Sequence, residues 1–213
     1  MDASDDITVW HPETVTSTTR DTLRALRDRG MLEGMYLAGG TALALHFGHR
    51  LSVDLDFFSN DLFDADALLR RVEGMPAFSV VSIAPHTLHA TIQETKVSFL
   101  GYPYPALFPF ARFDDVPVAD PRDIACMKVT AIVSRGTKRD FIDFYMACQQ
   151  LGIVEILTWF GRKYATTGYN RLHILKSLTF FDDAEKDPMP HTLVPLAWED
   201  VRRFFRQEVP RLR

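Results

Sequence analysis

The chain is organised around the segment Tyr36-Leu-Ala-Gly-Gly-Thr-Ala-Leu-Ala-Leu-His46, which continues through Gly48-His-Arg50 to Ser52-Val-Asp-Leu-Asp-Phe-Phe58. The alternation of apolar residues predicts a strand over residues 51–58, in which Asp54 and Asp56 leave the same face. Neighbouring carboxylates repel each other unless a cation, a donor or a shared proton relieves them, and carboxylate oxygens with a phosphate are what Mg²⁺ prefers. The alternative is an exposed strand edge with two solvated acids.

The glycine pair before these acids predicts a tight turn between a short strand and a helix. Gly39 and Gly40 permit a positive φ or a close backbone approach, and Thr41 is expected to be the N-cap of a helix over residues 42–47. Free N–H groups at such a helix start favour a phosphate. A simple strand-to-helix turn is the alternative, but the nearby acids favour a phosphate cradle that faces a metal site.

Together these motifs resemble the first motif of the AbiEii/AbiGii-type toxin nucleotidyltransferases, which are members of the DNA polymerase β-like superfamily. The resemblance implies that the turn holds the triphosphate of a nucleotide (NTP) and that the acid pair binds a divalent metal, Mg²⁺ or Mn²⁺. The residues concerned are Gly39, Gly40 and Thr41 in the turn and Asp54 and Asp56 in the pair. Related toxins transfer nucleotides to RNA, in some cases to the acceptor end of tRNA.

Histidines near these motifs form two pairs by spacing, His46 with His49 and His86 with His89. Neither pair has a cysteine or carboxylate at a spacing typical of zinc sites, so a zinc site is not expected. His49 and Arg50 belong to the resembled motif instead. They are expected either to contact phosphate or to position the loop that carries the acids.

A third carboxylate is usual in polymerase β-like enzymes, and its natural place here is the segment Glu94-Thr-Lys-Val-Ser-Phe-Leu100. Ser98 stands where an acid is expected, while Glu94 shares its strand parity and compensates only if the register allows. Lys96 has the same parity, and it is interpreted either as a phosphate or acid contact or as a charge that keeps an edge strand soluble.

The second half of the chain is predicted to be helical. Asp120-Pro121 is a strong helix start, and the negative charge of Asp123 in the first turn interacts favourably with the helix dipole. A structural role is therefore enough to explain both acids. Lys128 falls on the apolar arc of this helix, where it needs an aspartate pair or a nucleotide phosphate as its partner. A side chain that snorkels out of the core is the alternative.

The following segment, Arg135-Gly-Thr-Lys-Arg-Asp-Phe-Ile-Asp-Phe-Tyr145, is the second place where the chain resembles the toxin family. The resemblance implies nucleotide contacts for Lys128, Arg135 and Lys138. It also implies that Asp140 or Asp143 acts as a base or holds those cations in place. Asp140 has a structural explanation too, because Thr137 can cap the next helix with Asp140 as the capping-box acid.

Composition bounds the remaining possibilities. The 213 residues, 46% of them hydrophobic, suffice for a real core, and no segment is long and apolar enough to span a membrane. The acidic start at residues 1–6 is unlike a signal peptide, so a cytoplasmic location is expected. Cys126 and Cys148 form no metal or disulfide pattern and are interpreted as small buried hydrophobes. A formal net charge of −4 excludes a protein that coats nucleic acid through bulk electrostatics, but a local basic patch remains compatible with it.

These observations predict an α+β fold: a polymerase β-like nucleotidyltransferase core with a mixed sheet over residues 1–115, and a helical domain over residues 116–213 that closes over the active site. The leading hypothesis is a metal-dependent nucleotidyltransferase that transfers a nucleotide from an NTP to an RNA acceptor such as tRNA. It is expected to be the toxin component of a toxin–antitoxin or phage-defence system, with a cognate antitoxin protein as its partner. Two alternatives stay open, a non-catalytic nucleotide-binding module and nucleotidyl transfer to a protein hydroxyl. Under the leading hypothesis the catalytic residues are Asp54, Asp56, Lys128 and Asp140, and the nucleotide-binding residues include Arg50, Arg135 and Lys138.

Overall fold

In the computed structural model, which describes residues 8–212, a mixed sheet is followed by a set of packed helices. The strands are β1 (Tyr36–Ala38), β2 (Leu55–Ser59), β3 (Ser79–Ala84), β4 (Thr87–Ile92), β5 (Thr95–Gly101), β6 (Ala111–Phe113) and β7 (Val116–Val118). The helices are α1 (Ser17–Asp28), α2 (Gly39–Phe47), α3 (Ala65–Val72), α4 (Pro121–Ser134), α5 (Lys138–Leu151), α6 (Ile153–Lys163), α7 (Arg171–Ser177), α8 (Asp182–Glu185) and α9 (Trp198–Glu208). The predicted α+β class is confirmed. The interpretation of residues 1–6 lies outside the described residues.

The sheet formed by the described strands has the order β3-β4-β5-β2-β1-β7-β6. β2 pairs in parallel with β5, and β1 pairs in parallel with β7, while the other pairs are antiparallel. β2, which carries the acid pair, and β5, where a third acid was expected, are therefore neighbours inside the sheet. Lys96 lies on β5, so the interpretation of this lysine as an edge-strand charge is wrong.

The acid-bearing strand is shorter than its alternation predicts. β2 begins at Leu55, and Asp54 comes just before it. The residues before β2 pair with other segments instead: Ser52 forms an isolated bridge with Val15, and Arg50 forms one with Thr192. That part of the backbone therefore does not join the main sheet. Val53 is accordingly 48% exposed rather than packed in the core.

The glycine turn also differs in detail from the prediction. α2 already begins at Gly39, its N-cap is Ala38, and Thr41 lies inside the first turn, so the prediction of Thr41 as the N-cap is wrong. The reason is that Gly39 takes a φ of +68°, which lets the chain turn from β1 into the helix without a linker. The Thr41 hydroxyl instead hydrogen-bonds to the Ser52 hydroxyl and the Asp54 carbonyl oxygen, which holds the acid-bearing loop against the helix.

Two hydrophobic cores underlie the two halves of the chain. One packs the sheet with α1, α2 and α3, and the other packs the helices from α4 to α9. The sheet extends beyond residue 115, because Val118 of β7 pairs with Leu37 of β1. We therefore propose a division after Ala119, at the N-cap Asp120 of α4, in place of the division between residues 115 and 116.

The predicted helix starts of the second half are largely confirmed. Asp120 and Thr137 are the N-caps of α4 and α5 and accept hydrogen bonds from the amides of Arg122 and Asp140. Both cysteines are free and buried. α7 is short and ends at Ser177. Each helix within residues 8–212 is too short or too polar to cross a lipid bilayer.

Candidate active site

A cleft between the sheet and the helical half has two connected lobes that share Gly40, Asp56, Ser98, Lys128 and Arg135. The polar lobe, of about 240 Å³, is lined in addition by Thr41, Arg50, Ser52, Asp54, Lys96, Thr137, Arg139 and Asp140. The mixed lobe, of about 410 Å³, is lined in addition by Gly39, Phe58, His89, Leu100, Tyr102, Ile124, Met127, Thr130, Ala131, Val133, Ser134 and Tyr169. The cleft thus brings together the two segments that the sequence singled out.

Asp54 and Asp56 meet in the polar lobe, as the sequence predicts, but they have different surroundings. The side chain of Asp54 is 31% exposed and lies 3.5 Å from the guanidinium of Arg139. Burial raises the pKa of Asp56, a hydrogen bond with Ser98 opposes that shift, and the neighbouring charge of Asp54 adds to it. Asp56 is therefore a carboxylate without a strong protein cation of its own.

The residues present fit a divalent cation. Two carboxylates share the polar lobe, and the raised pKa of Asp56 indicates charge repulsion and burial that a cation would relieve. Within residues 8–212, no group of three or more His, Cys, Asp or Glu side chains is arranged to hold a metal ion. The protein would therefore supply two oxygen ligands, Asp54 and Asp56, and leave the others to phosphate and water, a donor set that Mg²⁺ accepts readily.

Both glycines of the turn are required by close contacts. A Cβ atom on Gly39 would lie 2.7 Å from Asp56 Oδ2, and β1 places Ala38 directly opposite Asp56. A Cβ atom on Gly40 would collide with the guanidinium of Arg50 and lie 3.3 Å from Asp143 Oδ2. The backbone at the start of α2 therefore approaches the acid closely on one side and a buried arginine on the other.

Asp143 of α5 is the anchor that joins the two halves of the site. Arg50 donates two hydrogen bonds to its carboxylate, at 2.7 and 2.8 Å, and His49 Nε2 lies 2.8 Å from Oδ1. Lys128 Nζ lies 2.6 Å from Oδ2. Although burial opposes the shift, Arg50 and Lys128 hold the pKa of Asp143 well below its usual range. Arg50 is thus committed to Asp143, and it lines the polar lobe from behind the glycine turn.

Asp140 has a similar set of partners one helical turn earlier. Lys128 Nζ donates to Oδ1 at 3.0 Å, and Arg135 donates through Nε and a terminal nitrogen at 2.8 and 3.0 Å. The Thr137 hydroxyl donates to Oδ2 at 2.7 Å. Burial opposes the shift, but Lys128 and Arg135 keep the pKa of Asp140 below its usual value, so this carboxylate is a poor base. Of the two roles implied by the resemblance, the geometry favours holding the cations.

Lys138 lies apart from the lobes, in contrast to its implied nucleotide contact. Its ammonium donates to the Asp187 carbonyl oxygen at 2.5 Å and lies 5.3 Å from the centre of the Trp198 ring. The next residue, Arg139, lines the polar lobe with a side chain that is 56% exposed. Of these two neighbouring cations, the one that lines the cleft is therefore Arg139.

The place of the missing third acid is occupied by Ser98. Ser98 pairs directly with Asp56 across the parallel β2–β5 ladder. Glu94 lies in the turn between β4 and β5 with a φ of +68° and is exposed, so the register does not bring it to either lobe. Lys96 does line the polar lobe.

A buried ion pair next to the cleft was missed by sequence reasoning. Asp123, 2% exposed, accepts a hydrogen bond from Lys163 Nζ at 2.7 Å and from the backbone amides of Leu107 and Phe108. Lys163 also donates to the Pro105 carbonyl oxygen at 2.7 Å. The pair therefore fixes the proline-rich segment that carries Tyr102. A lysine among apolar residues of an amphipathic helix was the available signal, as it was for Lys128.

A family model described as "Nucleotidyl transferase AbiEii toxin, Type IV TA system" matches residues 21–112 and 102–212. The chain belongs to the AbiEii nucleotidyl transferase toxin family. The resemblance inferred from the two motifs is thereby confirmed. An uncharacterized protein of Aquifex aeolicus, strain VF5, is 33% identical over 196 residues, which make up 89% of this chain and 93% of that protein.

Solved structures resemble this AbiEii-family chain at low sequence identity. The nucleotidyltransferase toxin MenT4 of Mycobacterium tuberculosis is 16% identical, with a TM-score of 0.47 over 92% of this chain and 86% of its own. ANT(2″)-Ia, crystallised with adenylyl-2″-tobramycin, is 13% identical, with a TM-score of 0.52 over 70% of this chain and 98% of its own. The likeness to ANT(2″)-Ia shows a shared fold.

Proposed function

We propose that this AbiEii-family chain is a metal-dependent nucleotidyltransferase that transfers a nucleotide from an NTP to RNA, with tRNA as the first acceptor to test. The observation that supports this proposal is one cleft in which two acids without a strong cation face a glycine turn and two fixed cations. The family description places such chains in toxin–antitoxin systems, so we also propose a cognate antitoxin.

The triphosphate fits the boundary between the two lobes. Lys128 and Arg135 line both lobes there, and each is already oriented by Asp140. The amides at the start of α2 add hydrogen-bond donors on the opposite side. A divalent cation on Asp54 and Asp56 would neutralise phosphate charge. The two cations would stabilise the charge that develops on the departing pyrophosphate.

The mixed lobe fits the nucleoside part of the substrate. Its apolar wall includes Phe58, Tyr102 and Met127, and Tyr169 at the edge is 37% exposed. Aromatic and apolar side chains favour the flat faces of nucleobases. The volume of about 410 Å³ is within the range typical of small-molecule sites.

The polar lobe is the more suitable place for the phosphodiester backbone of an RNA acceptor, with the reacting hydroxyl at the boundary of the two lobes, where Asp56 and Ser98 line both. Lys96 and Arg139 are exposed there and can contact phosphodiester groups on either side of the reacting hydroxyl. A local cluster of this kind is compatible with a formal net charge of −4 for the whole chain.

The direct experiment incubates the protein with each labelled NTP, Mg²⁺ or Mn²⁺ and total tRNA, and separates RNA from protein on a denaturing gel. We expect label on RNA, and a loss of about 10³-fold or more with Asp54→Asn or Asp56→Asn, because each removes a ligand of a cation that contributes several kcal/mol. Asp61→Asn is the matched control, since Asp61 is an exposed acid outside both lobes.

Other outcomes would assign the site differently. Label on protein would move the acceptor to a protein hydroxyl. Nucleotide binding without label on any acceptor, unchanged by Asp54→Asn and Asp56→Asn, would favour a non-catalytic nucleotide-binding module.

A further inference from the structure

A row of polar side chains crosses the sheet beside the acid pair. Ser98 lies directly opposite Asp56 on the parallel β2–β5 pair and directly opposite His89 on the antiparallel β4–β5 pair. Directly opposed residues of neighbouring strands point to the same face of a sheet. All three residues line the mixed lobe, and His89 Nδ1 lies 3.1 Å from Ser98 Oγ.

The neighbours of Ser98 favour one direction for the protons of this row. An ionised carboxylate only accepts hydrogen bonds, so the Ser98 hydroxyl acts on Asp56, directly opposite it, as a donor. The Ser98 oxygen then accepts from His89, which requires the proton on Nδ1. Nε2 of His89 is consequently the ring nitrogen that carries a free lone pair.

A nucleotidyl transfer requires a group that accepts the proton of the attacking hydroxyl, and the cleft offers few candidates. Asp54 and Asp56 are the proposed metal ligands, and Asp140 is saturated by Lys128, Arg135 and Thr137. Burial raises the pKa of Tyr102, which makes its hydroxyl a poor source of a basic oxygen at neutral pH. Among the described residues that line the two lobes, His89 remains as the side chain with a ring nitrogen that can accept a proton.

We propose that His89 is the proton acceptor of this cleft, with Ser98 as the positioning residue that connects it to Asp56. This inference rests on the proposed nucleotidyl transfer. The acceptor O–H proton passes to Nε2 of His89 while the acceptor oxygen bonds to the α-phosphorus. The bond from the α-phosphorus to the bridging oxygen of the β-phosphate breaks, and pyrophosphate leaves with that electron pair. The imidazolium returns its proton to solvent.

The test compares four proteins: wild type, His89→Gln, Ser98→Asp and the double variant. His89→Gln is expected to lower kcat by about 10²–10⁴-fold, the usual contribution of a general base, with the Kd for the NTP within about two-fold of wild type. Ser98→Asp places a carboxylate at the position next to Asp56. In the His89→Gln background it is expected to raise kcat again by at least about ten-fold, because it supplies a nearby proton acceptor.

His86→Gln is the matched control on the same hairpin. His86 Nδ1 lies 2.7 Å from the Phe63 carbonyl oxygen, its side chain lines neither lobe, and kcat is expected to stay within about two-fold of wild type. Thermal unfolding of each variant separates a loss of catalysis from a loss of folded protein.

The inference is overturned if His89→Gln keeps wild-type kcat, or if the double variant is no more active than His89→Gln alone. Both results presuppose an active wild type, so they would leave the proposed function standing. A wild type that transfers no nucleotide to any acceptor would overturn the proposed function and this inference together.

Discussion

Asp54 and Asp56 lie at the start of β2, and Asp140 and Asp143 lie on α5, so each half of the chain contributes one acid pair, of which Asp54, Asp56 and Asp140 line the cleft and Asp143 lies buried behind it. The pair on α5 is nearly inaccessible and saturated: Asp143 contacts Arg50, His49 and Lys128, and Asp140 contacts Lys128 and Arg135. The pair on β2 has a weak contact of Asp54 with Arg139 at 3.5 Å, and Asp56 has the neutral Ser98 directly opposite it on β5.

The difference appears in the pKa directions. Cations hold the pKa values of Asp140 and Asp143 below their usual range against the effect of burial, whereas burial raises the pKa of Asp56. Aspartate side chains therefore serve different purposes in the two pairs. The α5 pair uses its charge to fix Lys128, Arg50 and Arg135, and the β2 pair keeps its charge available for a cation from solution.

The largest expected effect on stability follows from breaking the saturated pair. Asp143→Asn leaves Arg50 and Lys128 buried without the carboxylate that both contact. Removal of one partner of a buried ion pair typically costs about 3–5 kcal/mol, and we expect the free energy of unfolding in urea to fall by that amount at neutral pH. Because the pKa of Asp143 is lowered by folding, this contribution is present above the unfolded pKa and is lost as pH falls toward the folded one.

Asp183→Asn is the control for that experiment. Asp183 pairs with Lys186 at 2.8 Å, but the two side chains are 61% and 74% exposed, and such surface pairs contribute about 0–1 kcal/mol. Equal losses for Asp183→Asn and Asp143→Asn would contradict the view that the α5 pair is the anchor between the halves.

A smaller effect is expected at the glycine that touches the β2 pair. Gly39→Ala combines a φ of +68° with a contact of 2.7 Å to Asp56 Oδ2, and we expect a loss of about 2–3 kcal/mol in urea unfolding. Gly34→Ala is the matched control, because Gly34 has a φ of +71° with open space around it, so only the backbone term of about 1 kcal/mol applies. Equal losses of unfolding free energy for Gly39→Ala and Gly34→Ala would show that the close contact of residue 39 with Asp56 contributes nothing to the loss.

Local sequence patterns sufficed for much of the fold and for half of the site. Alternation, capping residues and turn residues indicated most strands and helices, because these features depend on neighbours within a few positions. The same patterns placed Asp54 beside Asp56 and identified Lys128 as a lysine that needs a partner.

The partners themselves could not be predicted, because they depend on contacts far apart in sequence. Arg50 and Asp143 are separated by 93 positions, and Lys163 and Asp123 by 40. The choice between Lys138 and Arg139 depends on the phase of α5, since consecutive helical residues point in directions about 100° apart. A boundary uncertainty of one residue therefore exchanges which cation reaches the cleft.

The smallest expected effect has the opposite sign and concerns Asp56 itself. Because burial raises its pKa above 3.8, the folded state holds this proton more tightly than the unfolded state. That stabilisation is fully present below the unfolded pKa and is lost as pH rises through the folded pKa, so the ionised group costs stability at neutral pH. Asp56→Asn should raise the free energy of unfolding at pH 7 by about 0.5–2 kcal/mol, the range typical of single stabilising substitutions.

The gain from Asp56→Asn should be smaller at a lower pH than at pH 7, because the wild-type carboxyl of the folded protein takes up a proton as the pH falls through its raised pKa. Mg²⁺ should also reduce it, because a bound cation stabilises only the protein that keeps both acids. Urea unfolding at the two pH values, with EDTA and with Mg²⁺, measures all of these differences. A loss of stability with Asp56→Asn at pH 7 in EDTA would mean that Asp56 is satisfied within the protein in the way that Asp143 is, and the contrast between the two acid pairs would fail.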